Sequence, residues 1–570
     1  MEYQWELAPK PDSTSLEILQ TSLGVNETVA RLLIQRGITS FDEAKQFFRP
    51  SLDYLHDPFL MKDMDKAVER IQTALEEGQK ILIYGDYDVD GTTSVALMVT
   101  FLNHFYAKNI DYYIPDRYTE GYGVSFQGVD YAKENDCSLI IALDCGIRAH
   151  EKVDYATEKG VDFIICDHHL PHGDIPKAVA VLDHKRPDCK YPYKELSGCG
   201  IGFKLCQALA QVLNLEDHTW QDLLDLVAIS SACDIVPLTG ENRVLVHLGM
   251  ERINSNPRRG INSMIELSGR KSQFSVTDVV FIIGPRINAA GRIDHAKKAV
   301  ELLLSDTSDI AEKSSVLLEK RNVERKELDK SITQEALDQV INNKLEDRMS
   351  TVLYDKTWHK GVVGIVASRL IENYYRPTIV LTESNGKAVG SARSVKGYDI
   401  HEALNQCADV LEQFGGHQFA AGMTLDIENV PKLQARFEEI VSRTIDPKLL
   451  IPKMDIDLEI NLSDINDKFW RLVKQFAPFG PDNMKPVFVT RGCIDGGWSK
   501  AVGGEKTHLK LDVVQQKNPG IKISGIAFNL GNLEKEIKAK KPFDLVYTIE
   551  ENEWQGNVTL QLMIKDLRFL

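Results

Sequence analysis

Three aspartates on alternate residues, Asp86, Asp88 and Asp90 in Gly85-Asp-Tyr-Asp-Val-Asp-Gly91, form a dense run of reactive side chains. Carboxylates this close repel one another unless a cation gathers them, so the run either costs stability or binds a divalent metal. An Asp-rich capping or calcium loop is the competing reading, but the segment has no Glu at the twelfth position of an EF-hand loop. Asp144-Cys-Gly146 and Asp167-His168-His169 offer the same chemistry further on. Asp234, in Ser230-Ser-Ala-Cys-Asp-Ile-Val-Pro-Leu238, is a fourth position: a carboxylate in so apolar a setting needs a cation, a metal or a proton. Carboxylates and an imidazole around two cations suit phosphodiester hydrolysis, which then needs no side-chain nucleophile. The imidazole points to Mn²⁺, with Mg²⁺ usable although it prefers an all-oxygen octahedron.

These groups can meet only if strands deliver them. Apolar runs at Ile81–Tyr84, Ile110–Ile114, Leu139–Leu143, Phe163–Cys166 and Ala178–Leu182 alternate with helical patterns, which predicts an α/β fold with a doubly wound parallel sheet. The first, third and fourth runs empty straight into the acidic and histidine motifs. In such sheets ligands bind beyond the carboxyl ends of the strands, so residues far apart in sequence can converge there. Each Asp or His alone also reads as a helix cap or a satisfied core group; together they favour a site.

Basic and glycine-rich motifs come next. Gly284-Pro-Arg286-Ile-Asn288-Ala-Ala-Gly-Arg292 reads as a phosphate-facing loop, with a solvated surface turn as the alternative. Asp309 to Arg348, charged and free of Gly and Pro, predicts a connecting helix of roughly 60 Å, long enough to hold two domains apart. A second α/β unit begins at Met349. Its Trp358-His-Lys-Gly361, Gly390-Ser391-Ala-Arg393-Ser394 and Phe414-Gly415-Gly416-His417 stretches expose backbone amides and phosphate-binding side chains, or else form tight turns at a domain edge. After Lys453 short strands and hairpins predict a small antiparallel barrel or sandwich, in which Lys500, Lys506, His508 and Lys510 are candidates for single-strand binding.

The bulk composition narrows the class. A chain of 570 residues with 43% hydrophobic and 26% charged residues is an ordinary globular protein of three or four domains. No apolar run approaches the roughly 20 residues of a membrane span, and the start lacks a secretory signal, so the expected compartment is the cytoplasm. Nine scattered cysteines without C-x-x-C spacing suggest reduced core thiols. A net charge of −16 excludes a protein coated in nucleic-acid-binding charge but permits a local basic groove.

Taken in order, Gly85–Gly91, Asp144–Gly146, Asp167–His169, Glu241-Asn-Arg243, Gly284–Arg292, Trp358–Gly361, Gly390–Ser394, Gly415–His417 and Phe479–Pro486 resemble the single-strand-specific 5′ to 3′ exonuclease branch of the DHH phosphoesterases. The resemblance runs from about residue 50 to the C-terminus. Helix-like periodicity predicts a helical segment over 1–75, and the resemblance implies a DHH catalytic domain over 76–300, a linker helix over 301–348, a DHH-associated domain over 349–450 and an OB-like β-barrel over 451–570. It implies divalent-metal ligands at Asp88, Asp90, Asp144, His168 and Asp234, with Asp86 close by and a phosphate contact at His169. Arg117, Ser391 and Arg393 fall where the family holds a terminal phosphate, and Arg286, Asn288, Arg292, Gly415, Gly416, His417, Lys500 and Lys510 complete the expected substrate contacts. Tyr84 stands where many relatives have a His, which leaves the ligand set of one metal open. The implied activity is 5′ to 3′ degradation of single-stranded DNA to mononucleotides in repair and recombination, by a monomer working with a single-strand-binding protein and a helicase. A phosphodiesterase of short oligonucleotides or cyclic dinucleotides, or a non-catalytic DNA-binding scaffold, is the alternative; the extra barrel and the filled acidic positions argue against them.

Overall fold

The structure is a computed structural model that describes residues 2–554 and 556–570. The chain forms two compact units, one holding His56–Val236 and Leu248–Pro452, the other gathering Tyr3–Leu55, Pro237–His247 and Lys453–Leu570. The N-terminal segment expected over 1–75 is therefore divided. Leu32, Leu33 and Phe47, from its first helices, share one hydrophobic core with Phe476 and Phe488, whereas the helix Met64–Glu76 belongs to the first unit. Strand Gln4–Leu7 also pairs in parallel with Lys453–Ile456.

The first unit is built on a five-stranded parallel sheet in the order Ile110–Tyr113, Lys80–Gly85, Cys137–Leu143, Asp162–Cys166, Ala180–Leu182. Its central strands are buried on both faces, as parallel strands between helical layers must be. The chain order reverses between Lys80–Gly85 and Cys137–Leu143, so the switch-point crevice opens where the first acidic motif and Asp144 emerge. Helix Val89–Tyr106 starts immediately after the first strand: Asp88 is its N-cap, accepting the Gly91 amide at 3.0 Å, and Asp90 already lies in its first turn.

Gly284–Ile293 is an α-helix with Pro285 in its first turn, not the loop anticipated from its glycines. Gly291 serves packing: a Cβ there would lie 2.7 Å from the Tyr87 carbonyl oxygen, so this helix runs against the acidic loop. A five-residue π-turn, Val279–Ile283, precedes it. The connecting helix spans Ser308–Asn342, about 50 Å, and ends before the predicted Arg348. It is pinned on both sides, by Arg286–Glu319 at 2.7 Å toward the catalytic part and by Trp358 Nε1 donating to Glu335 at 2.9 Å toward the second.

The second part of this unit is a mixed sheet in the order Gln413–His417, Ala420–Leu425, Lys387–Arg393, Thr378–Ser384, Thr351–Tyr354. Its register sets Gly415 beside Gly422 beside Ser391, and His417 beside Ala420 beside Arg393. Two motifs separated in sequence thus share neighbouring rows.

In the other unit a seven-stranded sheet curls until Phe488–Asp495 also pairs with His508–Gln515. Its outer strands Leu458–Glu459 and Lys500–Val502 stay as edges, so the expected barrel is a curled sheet that does not fully close. Arg243 is buried in this unit, its guanidinium donating to the carbonyls of Phe47, Phe476 and Ala477 and lying 3.7 Å from the Phe47 ring centroid. Among the described residues no helix is long and apolar enough to cross a membrane.

Gly291→Ala should lower the stability of the first unit by about 1–3 kcal/mol, because backbone on the facing loop cannot yield cheaply to the added methyl. Urea unfolding followed by circular dichroism checks this; an unchanged midpoint would contradict the close helix–loop packing.

Candidate metal centre and phosphate pocket

Strand ends and one helix end bring the acidic groups together. His168 Nε2 lies 3.3 Å from Asp144 Oδ1, 3.5 Å from Asp234 Oδ2 and 3.8 Å from Asp90 Oδ2. Ligand atoms converge in two tight groups that share His168: Asp90 with Asp234, and Asp144 with His169. Asp144 adopts a left-handed backbone, φ 60°, at the sharp exit of its strand. Asp234 is the C-cap of helix Leu224–Cys233. Asp86 and Asp88 stand beside these groups rather than within them, Asp88 occupied as a helix cap and Asp86 buried with Oδ2 unpartnered.

Asp90 is oriented by four donors, the amides of Gly198 and Cys199 at 2.7 and 2.8 Å, the Ser230 hydroxyl at 2.7 Å and the Ser94 hydroxyl at 3.4 Å. Its carboxylate therefore points one way before any cation arrives. Asp167 acts on the histidines instead. It accepts the amides of Ile147, His168 and His169 and the His169 Nδ1–H at 2.7 Å, which fixes the His169 imidazole and the backbone that presents His168. On the far side His169 Nε2 lies 3.0 Å from the Tyr122 hydroxyl.

Burial pushes the Asp86, Asp88, Asp144 and Asp234 carboxyls above their ordinary range, and their mutual repulsion adds to it. Burial likewise holds His168 down at about 4, keeping it neutral and able to ligate. For His169 burial works against the charge, but the Asp167 hydrogen bond prevails and raises it to about 9. Neutral His168 with both ring nitrogens unpartnered, the orphaned Asp86 oxygen and four destabilised carboxylates fit divalent cations at this place.

A second cluster carries the opposite charge. Burial lowers Arg292 to about 10, aided by Arg117, Arg325 and Arg393, and burial with Arg117 lowers Arg393. Arg292 donates to the Gly361 carbonyl at 3.1 Å, Tyr118 donates its hydroxyl to the Arg292 carbonyl, and Arg117 lies over the Tyr87 ring at 4.9 Å. Ser391 and Arg393 meet at Gly364, where a Cβ would come within 3.1 and 2.8 Å of their polar ends. His417 feels the Arg393 charge, consistent with its neighbouring row. Arg286 does not join: it is buried, ion-paired with Glu319 and donating to the Ile282 carbonyl. Asn288 is half-buried on the same helix as Arg292. Lys500 and Lys510 lie in the other unit, directly opposite each other on paired strands. Sequence reasoning passed over Tyr122, Gly364 and Arg325; only Gly364, in the small-residue run after Gly361, left a trace in the sequence.

A parallel sheet with carboxylates and histidines at its switch point, a long helix and a second sheet bearing Ser391 and Arg393 define a DHH-type metal phosphoesterase. Family models agree: the N-terminal domain of the DHH family matches residues 80–230, the DHHA1 domain 332–443 and the RecJ OB domain 456–566. The chain is 39% identical over 567 residues to the single-stranded-DNA-specific exonuclease RecJ of Bacillus subtilis (strain 168), covering 99% of this chain and 70% of that protein. Crystal structures of RecJ from Thermus thermophilus superpose with TM-scores of 0.85 (complex with Mn²⁺, 29% identity) and 0.78 (complex with Mg²⁺, 27% identity), covering 99% of this chain and 79% and 78% of those chains. The chain belongs to the RecJ family.

The raised carboxyls give a signed expectation. A carboxyl whose folded value is raised disfavours the fold once ionised, so the cation-free protein should gain stability as the pH falls from 8 through the raised values, before general acid unfolding begins. Added Mn²⁺ should raise the melting temperature most at pH 8 and least near pH 6, where protons compete for the same oxygens. Scanning calorimetry with and without Mn²⁺ measures both, and a Mn²⁺ increment that grows toward pH 6 would contradict the assignment.

Proposed function

We propose that this chain is a divalent-metal-dependent exonuclease that degrades single-stranded DNA from the 5′ end, releasing mononucleotides by two-metal phosphodiester hydrolysis, in DNA repair and recombination. The observation that carries the reading is the presence in one unit of a carboxylate–imidazole centre and, separately, of the Arg117–Arg292–Arg393 cluster. Like charges gathered in this way are suited to an anion, and guanidinium forks grip phosphate oxygens in pairs.

Bound at the centre, the cations supply Lewis acidity and an acidified water. The chain's own groups do the rest. Asp90, held by Gly198, Cys199 and Ser230, presents its oxygens in a fixed direction, and the sharp strand exit at Asp144 sets its carboxylate beside His168. His169, protonated and anchored on Asp167, places positive charge and an Nε2–H beside the reacting phosphate, where the Tyr122 hydroxyl shares it. Arg117, Arg292, Arg393 and Ser391 stop the terminal phosphate, which decides the end attacked and the length of the product. A metal centre alone cleaves whichever phosphodiester reaches it.

The other unit supports the single-strand reading. Lys500 and Lys510 sit side by side, Trp498 is 80% exposed, and the Phe528 ring stands edge-on to His508 at 5.0 Å, giving cations and stacking faces for unpaired bases. The B. subtilis relative is named a single-stranded-DNA-specific exonuclease, and relatives have been solved with Mn²⁺ and with Mg²⁺. A cytoplasmic site of action, on strands exposed by a helicase and coated by a single-strand-binding protein, completes the proposal.

Asp144→Ala should abolish Mn²⁺-dependent hydrolysis while single-strand binding stays nearly intact, because binding is spread over many phosphate contacts. Substantial residual turnover of a labelled oligonucleotide would remove Asp144 from the centre. Arg393→Ala should cut the advantage of 5′-phosphate over 5′-hydroxyl substrates by about 1.5–3 kcal/mol, roughly ten- to a hundredfold in the ratio of kcat/KM, with the Mn²⁺ dependence unchanged. An unchanged ratio in a folded variant would leave polarity to another group.

A further inference from the structure

Arg292 and Arg393 ride on regular elements, the helix Gly284–Ile293 and the strand Lys387–Arg393. Arg117 does not. It lies in residues 114–125, an irregular segment between strand Ile110–Tyr113 and helix Phe126–Glu134. That segment touches both halves of the site. Arg117 lies over the Tyr87 ring and Tyr118 donates to the Arg292 carbonyl, while Tyr122 meets His169 and the Gly123 amide donates to Asp86 Oδ1 at 3.4 Å. Its own backbone offers little stiffness: Gly121 and Gly123, at φ 88° and 81°, hold left-handed conformations on either side of Tyr122. Groups carried on loops are placed less precisely than groups on strands or helices unless further hydrogen bonds lock them, and a misplacement of about 1 Å can cost on the order of a hundredfold in rate.

The lock comes from the strand that delivers the acidic motif. Tyr84, fully buried near the end of Lys80–Gly85, donates its hydroxyl to the Gly123 carbonyl at 3.0 Å and accepts the Ser125 amide at 3.1 Å. Its ring stacks on Tyr113 with centroids 5.5 Å apart, and a Cβ at Gly128 would fall 2.4 Å from its edge, so sheet and helix clamp it from two sides. A Phe would fill the same space; the hydroxyl adds only these bonds to the loop. Glu120 completes the arrangement. One of its oxygens accepts the Asp116 amide at 2.7 Å, and the other accepts the Tyr113 hydroxyl at 2.9 Å and the Ser125 hydroxyl at 2.6 Å. Ser125 in turn caps helix Phe126–Glu134, accepting the Gly128 amide at 2.9 Å.

We propose that the Tyr84 hydroxyl, together with Glu120, is a positioning device that fixes the offset between the terminal-phosphate pocket and the metal centre, and so the length of the product released at each cut. The strand carrying Tyr84 runs directly into Asp86, Asp88 and Asp90, and the loop it holds carries Arg117. One hydrogen-bonded unit therefore references the anion pocket to the cations. Tyr84 and Glu120 act through the loop, by holding it still. If that hold slackens, the terminal phosphate is no longer stopped at a single distance from the cations, and cuts at a neighbouring phosphodiester follow. The inference rests on the end-selecting exonuclease reading given above.

The test uses the full chain with Mn²⁺ and single strands labelled at the 5′ end, with the labelled products resolved by length. Tyr84→Phe removes the hydroxyl alone, and Glu120→Gln leaves the shape while weakening the other end of the lock. Wild type should release the label as mononucleotide. Both variants should release a dinucleotide fraction as well, and the kcat/KM advantage of 5′-phosphate over 5′-hydroxyl ends should fall roughly three- to tenfold. A merely structural role would lower the melting temperature and the rates on both ends in proportion, with product length and the ratio as in wild type; that result overturns the proposal. Should Tyr84→Phe fail to fold, Glu120→Gln, at a half-buried position, supplies the same comparison. If wild type itself shows neither a 5′-phosphate preference nor a labelled mononucleotide, the end-selecting reading fails and takes this inference with it, so the two failures are distinguishable.

Discussion

The structure depends on negative charge that the fold concentrates and cannot neutralise by itself. Asp90, Asp144 and Asp234 converge on one neutral imidazole, His168, with Asp86 and Asp88 beside them, at the open end of a sheet buried on both faces. Hydrophobic burial of the strands pulls these residues together, while desolvation and mutual repulsion push their carboxyls toward the protonated form. The conflict is local, and the protein keeps it because the rest of the sheet over-determines the geometry. Saturated donors on Asp90 and Asp167 show where freedom has been removed: neither carboxylate can rotate to relieve the repulsion without abandoning several hydrogen bonds.

The cationic cluster is the electrostatic counterpart, and it is equally unable to relax. Arg292 sits at a helix end with its guanidinium committed to the Gly361 carbonyl, and Arg393 is placed by a strand whose register is locked on both sides. Anchors at Glu319 and Glu335 tie the 35-residue linker helix to both parts of the unit. Arg292 and Arg393 are thereby placed by a helix and a strand that the linker helix ties together, which is what selecting one end of a polyanion requires.

The second unit solves a different problem. It is assembled from three separated segments, and Arg243 on one of them satisfies backbone carbonyls on the other two, a use of a buried guanidinium that needs no carboxylate partner. The curled sheet sets Lys500 on an edge strand directly opposite Lys510 on the strand beside it, a like-charged pair whose repulsion a bound anion would offset.

The sequence by itself determined the five parallel strands, because runs such as Leu139–Leu143 are too short and too apolar to be anything else between helices, and it determined that their ends carry metal-ligand chemistry. The long helix was equally legible, being thirty-five residues without Gly or Pro. Tertiary structure decided what spacing could not encode. Glycines at 284 and 291 read as loop signals, yet they mark close packing of a helix, in the case of Gly291 on the Tyr87 loop, a demand visible only once the partner is in place. Arg286 and Arg292 look equivalent in sequence; six residues on a helix turn one toward Glu319 and the other toward Gly361. Asp88 and Asp90 look equivalent in sequence, yet the helix that begins between them makes Asp88 its cap through one oxygen and puts Asp90 in its first turn. The division of the N-terminal segment between two units was hidden for the same reason: amphipathic helices announce that they have a partner, and only the folded chain says which core supplies it.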